Sequence, residues 1–578
     1  MAFSHRIPSG GFSLKKQASL LLLLILFLSA SLIWQQTIRQ EPDSVPISSQ
    51  RLMQEQILLV PLDGRPPCRQ FVIDAGRISG TEVITPPNSL QDYYSQPGDT
   101  TGMRSWLSEH IDGSGAAILS IDQLLYGGLL AAREKELPPG AIEELLQFLR
   151  QLHANHPDIP LYAFSILPRQ TPQDTIDGYQ ERRDLLAYSR LKGREDAGLA
   201  INSSELSRLE QSIPTGSLQR YLSHFTENEA LNRALIELVR EGVLTRLILG
   251  QDDGEPYSIP NIEKKHLLDW IRSRNLSDGS VVLTHGADEI ALSLLASIHN
   301  EKTGFHPRIH VRYNHDRTPA RIMPYMAVSI EQTVQEKIAL LGGQQTNSEE
   351  NADFTLLVSS CDSEEDDLSA RRDTVQELEH DRSLSMPVAL VDLSRHFQAQ
   401  ETVLPLLIQR DYPVNELIAY AGWNTTSNAV GTALAQASLF ESSRRQSGDR
   451  AEVIAVTAAN LTFLQNRILE DYFYLKDTID LINTTLQKAG YTNTADLDLE
   501  HNYRWANLML QHTMKNQLAV YKNTRSFRQP VRFSSPSGDF ELIMQDITID
   551  LSYPWPRTFE IYLRSAPRLA ITKTPEAE

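Results

Sequence analysis

The chain has 578 residues and a mass of 65.1 kDa, with 73 acidic against 54 basic side chains and a formal charge of −19. An apolar share of 41% and a charged share of 22% exclude wholesale disorder, and the length allows several domains. The acidic balance argues against nucleic acid as a partner, and two cysteines, Cys68 and Cys361, exclude a disulfide scaffold or a Cys-rich zinc module.

In chain order, Arg6, Lys15 and Lys16 precede an uncharged, mostly apolar run at 18–34. At about 1.5 Å per residue this run spans roughly 25 Å, near the thickness of a hydrocarbon core. Basic residues ahead of it keep segment 1–17 cytoplasmic and place everything after Trp34 outside. A single uncleaved membrane anchor and a cleaved secretory signal both stay open. Leu32-Ile33-Trp34 is a poor cleavage context and favours the anchor. Residues 35–54, with Pro42, Pro46 and several Ser and Gln, read as a linker.

Beyond the linker, short β-branched or apolar runs recur at 57–62, 116–121, 161–167, 247–249, 281–284, 309–313, 354–359, 388–393 and 417–421, with 82–85 a weaker candidate. Amphipathic stretches such as 140–155 and 231–243 lie between them. The alternation predicts an α/β fold of parallel strands and helical crossovers, either (β/α) barrel-like or a doubly wound sheet. The body divides into 55–305, which carries the acid motifs, and a second α/β portion, 306–440. A helical and β appendage follows over 441–578, helical at 466–488 and 501–521 and strand-like at 547–551 and 558–563. The acidic stretches 349–350 and 362–367 read as solvated loops.

Parallel strands carry ligands at their C-terminal ends, and here those ends are rich in carboxylates. The first run leads into Asp63-Gly64-Arg65-Pro66-Pro67, and the second into Asp122 followed by Tyr126-Gly127-Gly128. The third leads to Arg169, the fourth opens into Gln251-Asp252-Asp253-Gly254, and the fifth into His285-Gly286-Ala287-Asp288-Glu289. Later, 388–393 carries Asp392 and 417–421 leads to Gly422-Trp423-Asn424-Thr425. Each acid alone is equally a helix cap, but several at one end of a sheet predict a concave carboxylate site.

The catalytic candidates are the acid pairs Asp252-Asp253 and Asp288-Glu289. A glycosidase needs two carboxyls flanking one bond, and adjacent strands lie about 4.8 Å apart. Asp252 or Asp253 would be the general acid; Asp288 or Glu289 would be nucleophile, base or charge stabiliser. Trp423 is either a platform for a sugar ring or a core residue, and Asn424 bonds sugar hydroxyls or caps the next helix. Arg65 reads best as a buttress for Asp63, with Asp122 and Tyr126 beside the same site. Arg169 either binds an anion bidentately or buttresses an acid.

Several of these stretches resemble motifs of the bacterial "domain of unknown function 4127" family. They are Val60-Pro61-Leu62-Asp63-x-Arg65-Pro66, Ser120-Ile121-Asp122-x-Leu124-x-Tyr126-Gly127-Gly128-Leu129 with Arg133, Gln251-Asp252-Asp253, Gly286-Ala287-Asp288-Glu289 and Tyr420-Ala421-Gly422-Trp423-Asn424-Thr425. Glu470-Asp471-x-x-Tyr474 and Pro554-Trp555-x-Arg557-Thr558-Phe559-Glu560 are similar to its C-terminal motifs. Gly64, Cys68 and His285 depart from the pattern and leave the carboxylates untouched. The resemblance covers about 57–563 and implies no particular activity.

The residues themselves therefore lead to an expectation. The chain is an exported, membrane-tethered hydrolase of cell-envelope or extracellular carbohydrate, working by paired-carboxylate chemistry without a cofactor. One alternative is a non-catalytic, anchored protein that binds carbohydrate or envelope polymer. The other is a metal-dependent phosphatase or deacetylase, with Asp63, Asp122, Asp252, Asp288 and His285 around a hard cation. No P-loop, His-Glu-x-x-His or Gly-x-Ser-x-Gly motif supports other chemistries.

Overall fold

Runs of buried Leu, Ile, Val and Ala assemble into two parallel sheets, seen in a computed structural model that describes residues 44–46 and 51–572 apart from 177, 277–278, 362–366, 424 and 534–537. The apolar run 18–34 and the acidic stretch 362–366 lie outside the described residues. Among those that are described, no helix is long and apolar enough to cross a membrane.

Strand β1 is Ser44–Pro46. The first sheet holds β2 (Glu55–Val60), β3 (Thr81–Ile84), β4 (Ala116–Ser120), β5 (Leu161–Leu167), β6 (Arg246–Gln251) and β7 (Val281–His285), in spatial order β3-β2-β4-β5-β6-β7. The second holds β8 (Arg308–Tyr313), β9 (Gln344–Thr346), β10 (Phe354–Ser360), β11 (Val388–Leu393) and β12 (Ala419–Ala421), in order β9-β8-β10-β11-β12. Every pairing in both is parallel. Strands β5, β10 and β11 are buried along their whole length, as expected when helices cover both faces. Neither sheet closes, so the doubly wound alternative holds and the barrel does not.

Both sheets start in the middle, turn to one side for the second strand, then cross back. The same winding occurs twice, with a switch point between β2 and β4 and another between β8 and β10. One apolar core runs through both sheets, from Ile57 and Phe164 to Phe354 and Val391. Helix Thr426–Gln446 joins them and is buried from Thr426 to Ser443. Its Ala and Gly residues let helix Ile290–Thr303 approach closely: a Cβ on Gly431 would overlap Glu289. Small side chains there exchange apolar area for proximity.

The appendage packs on the second sheet through a shared core that joins Leu357 and Leu390 to Leu464, Tyr474, Leu510 and Ile547. Strands β13 (Val531–Phe533), β14 (Phe540–Ser552) and β15 (Tyr562–Thr572) form an antiparallel sheet that β1 completes, with Ser44 opposite Thr572. Part of the expected 35–54 linker is thus a strand. The predicted strand 558–563 begins later, at Tyr562, because 554–561 turns back over the body. Strand β9, Gln-Gln-Thr, has no apolar signal and was not foreseen.

Candidate functional site

The C-terminal edges of both sheets face one cavity of about 350 Å³. Asp252 and Asp253 enter from β6 and His285 to Asp288 from β7. Tyr325 and Met326 come from the loop after β8, Phe397 from beyond β11, and Thr425, Ser427 and Asn428 from beyond β12. Arg557 and Phe559 of the appendage complete the wall. Two switch-wound sheets sharing one mouth is the arrangement in which such folds hold ligands.

Buried carboxylates need partners, and most here have an arginine. Arg65 Nη2 donates to Asp63 Oδ2 at 2.6 Å and to Asp288 Oδ1 at 2.7 Å, and Arg65 Nε reaches Asp63 Oδ2 at 2.9 Å. Burial pushes Asp288 upward, the Arg65 charge pulls it back, and its carboxyl stays above the ordinary range. Arg65 is the buttress the sequence predicted, but it binds two acids 225 positions apart in sequence. Asp63, Cys68 and Asp288 bring three ligand atoms within 4.8 Å of one another. The Arg65 guanidinium already bonds all three. That donor set is neutralised by a fixed cation, so the residues do not fit a metal.

Arg133, from helix Leu129–Glu134, donates through Nε to Asp252 Oδ2 at 2.9 Å, and its Nη2 bonds the same oxygen. Asp252 Oδ1 accepts the Asp253 N–H at 2.8 Å. Burial opposes ionisation of Asp252, but Arg133 outweighs it and holds the carboxyl below its usual range. Asp253 is the reverse. Its carboxyl has no hydrogen bond or ion pair among the described residues, and burial together with the Asp252 charge pushes it up to about 7. Neighbouring acids on one loop are thus shifted in opposite directions.

His285 donates through Nδ1 to Glu336 at 2.8 Å and accepts from Lys264 at Nε2, 3.1 Å away. Burial, with smaller effects from Lys264 and Lys337, lowers its proton affinity despite Glu336. Gly286 makes the turn into the second acid pair at φ +104, where a Cβ would overlap Glu289 and Ser427. Two aromatic residues in the wall, Tyr325 (φ +65) and Phe397 (φ +57), also hold left-handed backbone. Such strain in a non-glycine residue survives only where the surroundings enforce it. The Gly254 N–H bonds the Tyr325 carbonyl at 3.0 Å, tying that loop to the acid pair.

Not every predicted residue joins the cavity. Glu289 is buried behind it, 2.6 Å from Lys337, which also donates to Thr284 and the His285 carbonyl. Neighbours at a helix start face different ways, and here Asp288 lines the wall while Glu289 is walled in. Asp122 accepts the Ile166 N–H at 3.0 Å and joins β4 to β5; burial raises it to about 7. The Tyr126 hydroxyl donates to Glu227 at 3.1 Å, outside the cavity. Trp423 is 2% exposed, packed edge-on against Phe71 and tilted against Phe559, so it is a core residue and not a sugar platform. Asn424 lies outside the described residues. Arg169 acts through space on Asp252 and Asp253 and has no hydrogen-bond partner among the described residues.

Sequence reasoning missed Arg133, Arg557, Phe559, Tyr325 and Phe397 as site residues. Arg133, Arg557 and Phe559 lie in the resembling motifs, whereas Tyr325 and Phe397 carry no local signal, since their loops are brought in by the second sheet. No curated protein and no solved structure matches this chain. A family described as "Protein of unknown function (DUF4127)" matches residues 57–564, which spans both sheets, the cavity and most of the appendage. The chain belongs to the DUF4127 family.

Proposed function

We propose that the chain is a hydrolase that cleaves a glycosidic bond in a cell-envelope or extracellular carbohydrate. The observation that carries this reading is the split between Asp252 and Asp253 in one cavity, one held ionised by Arg133 and the other holding its proton to about 7. Acids whose environments push their proton affinities apart mark the donor and the charge stabiliser of such a reaction. Asp253 gives its proton to the departing glycosidic oxygen as the C–O bond breaks. Asp252, held ionised by Arg133, meets the positive charge that develops on the ring. Tyr325, 57% exposed in the wall, supplies the flat face first expected of Trp423. Water then completes the hydrolysis and Asp253 is reprotonated.

The test is a panel of methyl and 4-nitrophenyl glycosides with wild type and Asp253→Asn. The variant keeps its melting temperature and loses about 10²–10⁴-fold on methyl glycosides, and less where nitrophenolate leaves without a proton. A variant that unfolds, or stays fully active, overturns the assignment. Export rests on the run 18–34; protease added outside intact cells should release a fragment beginning near the linker.

A further inference from the structure

We infer that Arg169 is the recognition site for an anionic group, a carboxylate or a phosphate, carried by the substrate. The word substrate rests on the hydrolase reading; the anion site itself does not. The loop bearing Arg169 is fixed against the acid pair: the Asp252 N–H bonds the Leu167 carbonyl at 3.3 Å and the Gln170 N–H bonds the Asp253 carbonyl at 3.4 Å. From the other side, the Tyr221 hydroxyl donates to the Gln170 carbonyl at 2.7 Å. A loop held from both sides thus keeps a guanidinium within electrostatic reach of the proposed proton donor.

That guanidinium has no partner among the described residues, and its Nε is buried without a hydrogen bond. Each acid near it is committed elsewhere. Asp252 is bonded by Arg133, and Asp174 by Arg182 at 3.1 Å. Asp253 keeps its proton up to about 7 and is a poor counterion. Burial and the like charge of Arg133 both disfavour the Arg169 cation. Asp252, Asp174 and Asp253 favour the Arg169 charge only through space, without a hydrogen bond, and a largely desolvated cation left without one is costly to keep. An external anion, matched to the planar fork of the guanidinium, satisfies the site.

The test measures thermal shift and calorimetric binding for wild type, Asp253→Asn and Arg169→Gln. Sodium acetate and inorganic phosphate are the bare probes, and glucuronate, glucose 6-phosphate and neutral glucose the sugar arms. At least one bare anion should saturate wild type and Asp253→Asn alike and bind Arg169→Gln at least tenfold more weakly. Acetate against phosphate, and glucuronate against glucose 6-phosphate, decides which anion the site prefers. Without anion, Arg169→Gln should melt no lower than wild type, because an unpaired buried charge has been removed. No saturable anion, equal binding by Arg169→Gln, or an unfolded Arg169→Gln each overturns the proposal. Anion binding that survives while Asp253→Asn stays fully active would instead refute the hydrolase reading and leave the anion site standing.

Discussion

Replacing Arg65 with Met removes the cation on which two buried carboxylates depend. Arg65 contacts Asp63 at 2.6 Å and Asp288 at 2.7 Å with all three side chains under a tenth exposed. Breaking a buried pair by deleting one partner costs about 3–5 kcal/mol, because the remaining charge is left desolvated. Here two are left, so the upper end of that range applies. The loss should also depend on pH. Burial already raises Asp288, and without Arg65 it rises further. The folded variant then holds a proton that the unfolded chain releases. The penalty is therefore absent below the unfolded value of about 3.9 and grows as pH climbs through the folded one. Urea unfolding at pH 5 and pH 8 measures both effects. The triple variant Asp63→Asn, Arg65→Met, Asp288→Asn should recover most of the loss. A cost below about 1 kcal/mol, as for an exposed pair, or no recovery in the triple variant, would mean that Arg65 does not neutralise the two acids.

Tyr325→Ala should weaken sugar binding with little change in melting temperature, whereas Trp423→Phe should lower the melting temperature and leave binding intact; one calorimetry series reads both. Asp122→Asn keeps an acceptor for the Ile166 N–H but removes a group whose folded pKa, about 7, lies above its unfolded value. Its stability relative to wild type should therefore rise as pH increases from 4 to 8 in urea unfolding, and a flat difference contradicts this. Exhaustive chelation should leave stability and activity unchanged, since Arg65 occupies the Asp63–Cys68–Asp288 cluster; loss with EDTA and recovery with Mg, Ca, Mn or Zn would contradict that.

What was legible followed from burial. Strands such as Leu161–Leu167 are covered on both faces, so their apolar runs stand out in the sequence, and the edge strand Thr81–Ile84 was visible but weak. Strand β9 is short, polar and at an edge, where pairing alone defines it. The acid-bearing strand ends were legible because parallel topology fixes which end carries ligands. Their division of roles was not. Whether Asp253 or Asp252 is free depends on Arg133, more than a hundred residues away in sequence. Likewise Trp423 sits one turn from the cavity, and only packing against Phe71 and Phe559 shows that it faces the core. Tyr325 and Phe397 reach the wall through the second sheet, a tertiary fact that local sequence does not encode.

The proposed chemistry stands on Asp253 holding its proton up to about 7 while Arg133 keeps the Asp252 carboxyl below the ordinary range. Infrared difference spectra recorded across a pH titration of wild type, Asp253→Asn and Asp252→Asn read carboxylic acid and carboxylate bands directly. Asp122 also titrates near 7 and contributes to every spectrum, so the expected result is a component near pH 7 that is present in the wild-type minus Asp253→Asn difference and absent from the variant. In Asp252→Asn it should move to lower pH, because a neighbouring negative charge is lost and Arg133 is freed to act on Asp253. An unchanged signal in Asp253→Asn, or an Asp253 that is ionised down to pH 4, would contradict it.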